Sequence, residues 1–81
     1  MKPIRRYISQ FCKNEDNLLQ EIEFTIAPDI SFLQNLFNEC ADNSMYDEYS
    51  ISTGIASKIS PLISQPLDLE KYDYFLSCSS G

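Results

Sequence analysis

Two runs of β-branched and aromatic residues, 4–12 and 18–26, flank five turn-forming residues near the start of the chain. No other feature constrains the fold as much. Ile4-Arg5-Arg6-Tyr7-Ile8-Ser9-Gln10-Phe11-Cys12 interleaves polar and apolar side chains and reads as a strand. Lys13-Asn14-Glu15-Asp16-Asn17 is a turn cluster, because Asn and Asp tolerate left-handed backbone and hydrogen-bond their own main chain. The second run alternates. Leu18, Ile22, Phe24 and Ile26, with Gln20 between them, point one way, while Leu19, Glu21, Glu23 and Thr25 point the other. Two strands about a short polar turn predict an N-terminal hairpin.

Ala27-Pro28-Asp29 ends that hairpin and opens a helix capped by Asp29 or Ser31. Ile30, Leu33, Phe37 and Cys40, widened by Phe32 and Leu36, predict about three turns with one apolar side. Ala41 to Ser44 is a polar loop. Met45 to Ile51 is either a short third strand or an irregular connection rich in aromatics. Ser52-Thr53-Gly54 caps a second helix with Ile55, Ile59, Leu62 and Ile63 on one face, and Pro61 limits it to about two turns, with a kink as a further possibility. Tyr72 to Ser79 alternates again, with Tyr72, Tyr74, Leu76 and Cys78 opposed to Asp73, Phe75 and Ser77. Phe75 is then either covered by the second helix or offered to a partner. The small residues from Ser77 to Gly81 predict a soft, fraying end.

The expected architecture is α+β: a small antiparallel sheet of three to four strands, made from the hairpin and the C-terminal strand, with one or two helices on one face. Positions 1–81 are expected to form one domain, since 81 residues leave no room for a second and give a thin margin of stability. A sheet covered on one side leaves the other open. With five Tyr and five Phe in the chain, some aromatics fall on that open side.

Charge is segregated along the chain. Residues 1–13 carry four bases and no acid, whereas residues 14–57 carry nine acids and no base, within a total of −6. Such a run repels a phosphate backbone and steers cationic partners, so direct nucleic-acid binding is not expected, except through the short basic N-terminal strand. Net negative charge also serves solubility alone. Uncharged runs reach only nine residues, as in Ile30 to Asn38, against the roughly 20 that a membrane span needs. No apolar signal-peptide core follows the basic start. The expected location is the cytoplasm, with no membrane partner.

Histidine is absent, which removes the commonest general base and metal ligand. The only glycines are Gly54 and Gly81, so there is no phosphate-cradling loop. Cys12, Cys40 and Cys78 are an odd, widely spaced set among apolar neighbours, expected as reduced core thiols rather than as a disulfide or zinc framework. No cofactor, metal site or catalytic residue is expected. The chain reads as a non-enzyme.

Ser60-Pro61-Leu62-Ile63-Ser64-Gln65-Pro66-Leu67-Asp68-Leu69-Glu70-Lys71-Tyr72-Asp73-Tyr74-Phe75-Leu76-Ser77 resembles the C-terminal half of cloacin/colicin-type immunity proteins. The matched positions are Pro61, Leu62, Pro66, the apolar–acidic–apolar step Leu67-Asp68-Leu69, and Tyr74, Phe75 and Ser77 of the aromatic final strand. Length, acidity and the hairpin ahead of the first helix are also similar. The resemblance implies a small cytoplasmic protein, an antiparallel sheet under helical cover, and tight binding to a basic cytotoxic domain that is thereby kept from RNA.

The leading expectation is a toxin-neutralising immunity protein of the bacteriocin or contact-dependent-inhibition kind. It is an acidic protein that blocks a basic, nuclease-type domain. The expected contact residues are Glu21 and Glu23 on the second strand and Asp42, Tyr46, Asp47, Glu48 and Tyr49 in the middle loop, where aromatics anchor and acids select a basic partner. Ordinary core filling by Tyr46 and Tyr49, and a solvated strand face at Glu21 and Glu23, are the plain readings of the same residues. Two other functions share the physics: a phage- or plasmid-encoded inhibitor of a host defence nuclease, and a homodimeric structural module. The unbound state is expected to be a monomer or a weak dimer.

Overall fold

The computed structural model describes residues 4–43, 45 and 47–80. Four strands and two helices follow one another as β1 (Ile4–Cys12), β2 (Leu18–Glu23), α1 (Ile30–Leu36), β3 (Tyr49–Ser50), α2 (Thr53–Ile59) and β4 (Tyr72–Ser80), with a 3₁₀ turn at Ser60–Leu62. The strands form one sheet in the order β2-β1-β4-β3, and every pairing is antiparallel. The expected α+β architecture is what the chain adopts.

The hairpin forms where its pattern placed it. Asn14 takes left-handed backbone (φ 64°), and the Cys12 amide donates to the Asn17 carbonyl at 3.3 Å to close the turn. The alternation in β2 is broken at its start. Register slips between Gln10 and Phe11, so Gln10 faces Gln20 while Phe11 faces Leu18. A one-residue slip moves a side chain to the other face. Leu18 therefore lies opposite Phe11, outside the core side on which Ile22 is buried. The strand also stops at Glu23 rather than at Ile26. Phe24 bridges to Ile63, and the amides of Thr25 and Ile26 donate to the Leu62 carbonyl, which draws the chain off β1 and leaves Ile26 exposed.

Helix α1 is shorter than the three turns expected. Asn38 adopts φ 58°, its amide donates to the Asn35 carbonyl, and the Glu39 amide donates to the Gln34 carbonyl at 2.7 Å. This is a Schellman-type stop, with a left-handed Asn in the place that glycine usually fills. It ends the helix before Cys40 can join the apolar stripe. At the other end Asp29 is the N-cap residue, but its side chain makes no capping bond. Helix α2 begins as expected, with the Ser52 hydroxyl accepting from the Ile55 amide at 3.4 Å, and turns into the 3₁₀ segment at Pro61.

Both helices pack on one face of the sheet. Ile8, Ile22, Ile51, Ala56, Ile59, Ile63 and Tyr74 form one buried cluster beneath α2, and Leu33, Met45 and Leu76 form a second beneath α1. The tail expected to be soft is ordered as strand from Ser77 to Ser80, while Gly81 lies outside the described residues. Ser77 to Ser80 continue β4, pairing with Tyr7 to Ile4, because β1 is long enough to template all nine residues of β4.

The cysteines depart from the expected buried set. Cys40 is exposed, while Cys12 and Cys78 are half-buried. Burial, then the carboxylate of Glu15, push the Cys12 thiol above its ordinary pKa. The thiolate is the reactive form. A thiol reagent at neutral pH is therefore expected to modify Cys40 first and Cys12 more slowly, an order that mass spectrometry of partly labelled protein reads directly. Faster labelling of Cys12 would place it in solvent.

Candidate functional site on the open face of the sheet

Residues directly opposite one another in an antiparallel pair share a face. Ile8 faces Ile22 and Leu76, all on the helix-covered side. Ser9 faces Glu21 and Phe75, Tyr7 faces Glu23 and Ser77, and Phe11 faces Asp73, so these residues make up the uncovered side. Phe75 is thus not beneath α2. It packs edge-to-face on Phe11, with ring centroids 5.6 Å apart.

The two ends of this face differ in chemistry. At one end Arg5 bonds Glu23 and, at 3.1 Å, Glu21, and its guanidinium lies 4.2 Å from the centre of the Tyr7 ring. The Glu23 hydrogen bond leads in holding the Arg5 pKa above its ordinary value. The two β2 acids are therefore already engaged by a cation of the same chain. In the middle, the hydroxyls of Ser9 and Ser77 bond each other at 2.8 Å and are almost wholly buried, since short side chains sit between large neighbours.

At the other end lies an open depression of about 390 Å³. Phe11 and Phe75 line it, together with Glu15 and Asp16 from the hairpin turn, Glu48 from the segment before β3, and Asp73 from β4. Asp73 has a distant ion pair with Lys13 (3.8 Å), whose ammonium also donates to the Leu69 carbonyl at 2.6 Å. Among the described residues no salt bridge engages Glu15, Asp16 or Glu48. This corner holds four carboxylates against one partly committed lysine.

Glu48 is delivered there by a braced loop. The buried Gln34 side chain donates to the carbonyls of Ala41 (3.1 Å) and Asn43 (2.7 Å). Asn43 in turn accepts from the Met45 amide at 2.8 Å, and Arg6 donates to the Met45 carbonyl at 2.9 Å. Met45 holds left-handed backbone (φ 57°) while its side chain is fully buried. Such backbone in a non-glycine residue persists only where its surroundings enforce it.

The structure divides the residues expected at a contact surface. Glu21, Glu23 and Glu48 border the open face, the first two at its Arg5 end and Glu48 at the depression. Asp42 and Asp47 are exposed on the loop but do not line the depression. Tyr49 lies on the covered side, opposite Leu76, with its ring 5.2 Å from that of Phe37 and its hydroxyl accepting from Asn43 at 3.3 Å. It fills the core beside Leu33 and Met45. Tyr46 is outside the described residues. Sequence reasoning missed Phe11, Glu15, Asp16 and Asp73 as one group. The only signal that joins them is the pairing of β1 with β4, which sets Phe11 against Asp73 and Ser9 against Phe75.

A family model for a domain of unknown function, DUF7683, matches residues 5–77, from the start of β1 into β4. The chain belongs to the DUF7683 family. The match therefore includes β2, β3 and both helices whole, all but the first residue of β1, β4 as far as Ser77, and every residue that lines the depression. No curated protein and no solved structure matches the chain. Among the described residues of this chain, no helix is long and apolar enough to cross a membrane.

Proposed function

We propose that this protein neutralises a basic cytotoxic domain, of the nuclease type, by occupying its surface. A nuclease that holds phosphates must present cations, and an acidic protein can take the place of the nucleic acid there. The observation that carries this reading is the acid-walled, phenyl-lined depression on the sheet face that no helix covers. Acids at the rim speed encounter and select charge, while aromatic rings supply contact area once water is displaced. The resemblance of residues 60–77 to colicin-type immunity proteins supports the same reading. The role needs no chemistry from this chain. It works by binding alone, in the compartment where the toxin would otherwise act.

The test is co-expression with the cytotoxic domain encoded beside the gene. The expected result is rescued growth and a one-to-one complex that weakens as salt is raised, because surface charges are screened within about 10 Å at 0.1 M salt. Persistent killing at full expression of this protein, or the lack of any such reading frame, would remove the proposal.

A further inference from the structure

We infer that the Phe11–Phe75 end of the open face is a socket for an arginine side chain presented by the basic partner. This inference rests on the proposed function for the partner's charge, and goes further in naming the group that is recognised and the place where it sits.

Three observations select a guanidinium. First, an edge-to-face ring pair uses the rim of one ring and one face of the other, so the Phe11–Phe75 contact leaves ring faces that neither ring gives to its mate. A planar cation stacks on such a face and gains more there than a compact ammonium does. Second, the surrounding carboxylates come from three separate segments: the hairpin turn, the segment before β3, and β4. They do not gather into a metal-binding set: among the described residues no three Asp, Glu or Cys groups stand close enough to hold an ion. Acids spread around a rim suit a wide, delocalised cation with several donors better than a small hard one. Third, the other acids of the face, Glu21 and Glu23, already hold Arg5, whose guanidinium also lies against the Tyr7 ring. The chain thus shows, at one end of its own sheet, the arrangement that the depression offers an incoming arginine at the other. There Lys13 is only a loosely held counter-charge, since its ammonium donates to the Leu69 carbonyl at 2.6 Å and pairs with Asp73 at the long distance of 3.8 Å.

The experiment titrates the full chain with two peptides of equal charge, tetra-arginine and tetra-lysine, and follows aromatic and amide resonances by NMR. Tetra-arginine is expected to move the ring signals of Phe11 and Phe75 and to bind several-fold more tightly than tetra-lysine. Phe75→Leu keeps the apolar bulk but removes a ring, and is expected to erase the preference for arginine. Should that variant lose its fold, Glu48→Gln combined with Asp73→Asn alters only partly exposed carboxylates. That pair is expected to weaken tetra-arginine roughly tenfold, given the small strength of each open ion pair. Equal binding of the two peptides with still ring signals would overturn the socket, as would shifts confined to Tyr7, Glu21 and Glu23. If the rings respond but the toxin is not neutralised, the socket stands and the immunity role falls. If the toxin is neutralised while the rings stay silent, the socket alone is lost.

Discussion

Leu76→Ala is expected to cost about 2–5 kcal/mol of folding stability, as large-to-small changes in packed cores do. Leu76 lies at the centre of β4, paired with Ile8 on one side and Tyr49 on the other, and is 1% exposed. It also carries α1, because Leu33 and Met45 pack on it. Bonds to the neighbouring backbone limit how far the space that the substitution opens can be closed. Met45 is fixed by its bonds to Asn43 and Arg6, and the strands on both sides are in register. A domain this small holds only about 5–15 kcal/mol in total. At roughly 4–8 °C per kcal/mol for a chain of this length, the thermal midpoint should fall by more than about 8 °C. Ile26→Ala is the matched control. Ile26 is 60% exposed, beyond the end of β2, and its truncation is expected to stay within about 0.5 kcal/mol. Circular dichroism melts of both variants decide the matter. Equal losses would mean that α1 does not rest on the sheet through Leu76.

Much of this fold was legible because its local signals agree with its tertiary packing. Asn14 and its neighbours make the turn, Ser52 caps α2, Pro61 tightens the helix end, and the alternation through Tyr74 and Leu76 points at the core. The sequence reading failed where a backbone choice overrode a side-chain period. Leu33, Phe37 and Cys40 keep helical spacing past the point at which Asn38 turns left-handed and stops α1. Leu18 keeps strand spacing, but the slip opposite Phe11 turns it to the open face. The candidate site suffers from distance along the chain rather than from ambiguity. Glu48 was visible as an acid in an aromatic loop, yet its neighbours in space come from the hairpin turn and the last strand. Nothing local in Phe11 or Asp73 encodes that β1 and β4 bring them opposite each other. Tyr49 shows the converse. Its acidic neighbours suggested an interface, while its register opposite Leu76 decides for the core.

The two groups of acids on the open face should separate in binding kinetics. Glu21→Gln with Glu23→Gln and Glu48→Gln with Asp73→Asn each remove two negative charges. Long-range attraction depends on summed charge, so both pairs are expected to slow association with the proposed basic partner a few-fold and to reduce its salt dependence. Dissociation depends instead on what the partner's cation touches once docked. Glu21 and Glu23 are committed to Arg5, so removing them leaves the bound contact nearly intact and dissociation nearly unchanged. Glu48 and Asp73 line the depression, and their loss is expected to accelerate dissociation about 30- to 100-fold, the lower part of the range for truncating one side of a docked charge pair. Rates measured at two salt concentrations distinguish the cases. Faster dissociation from the Glu21/Glu23 variant, with none from the Glu48/Asp73 variant, would move the contact to the Arg5 end of the sheet. In that event Arg5 itself would be the group displaced on docking, and Arg5→Gln would strengthen the complex rather than leave it alone.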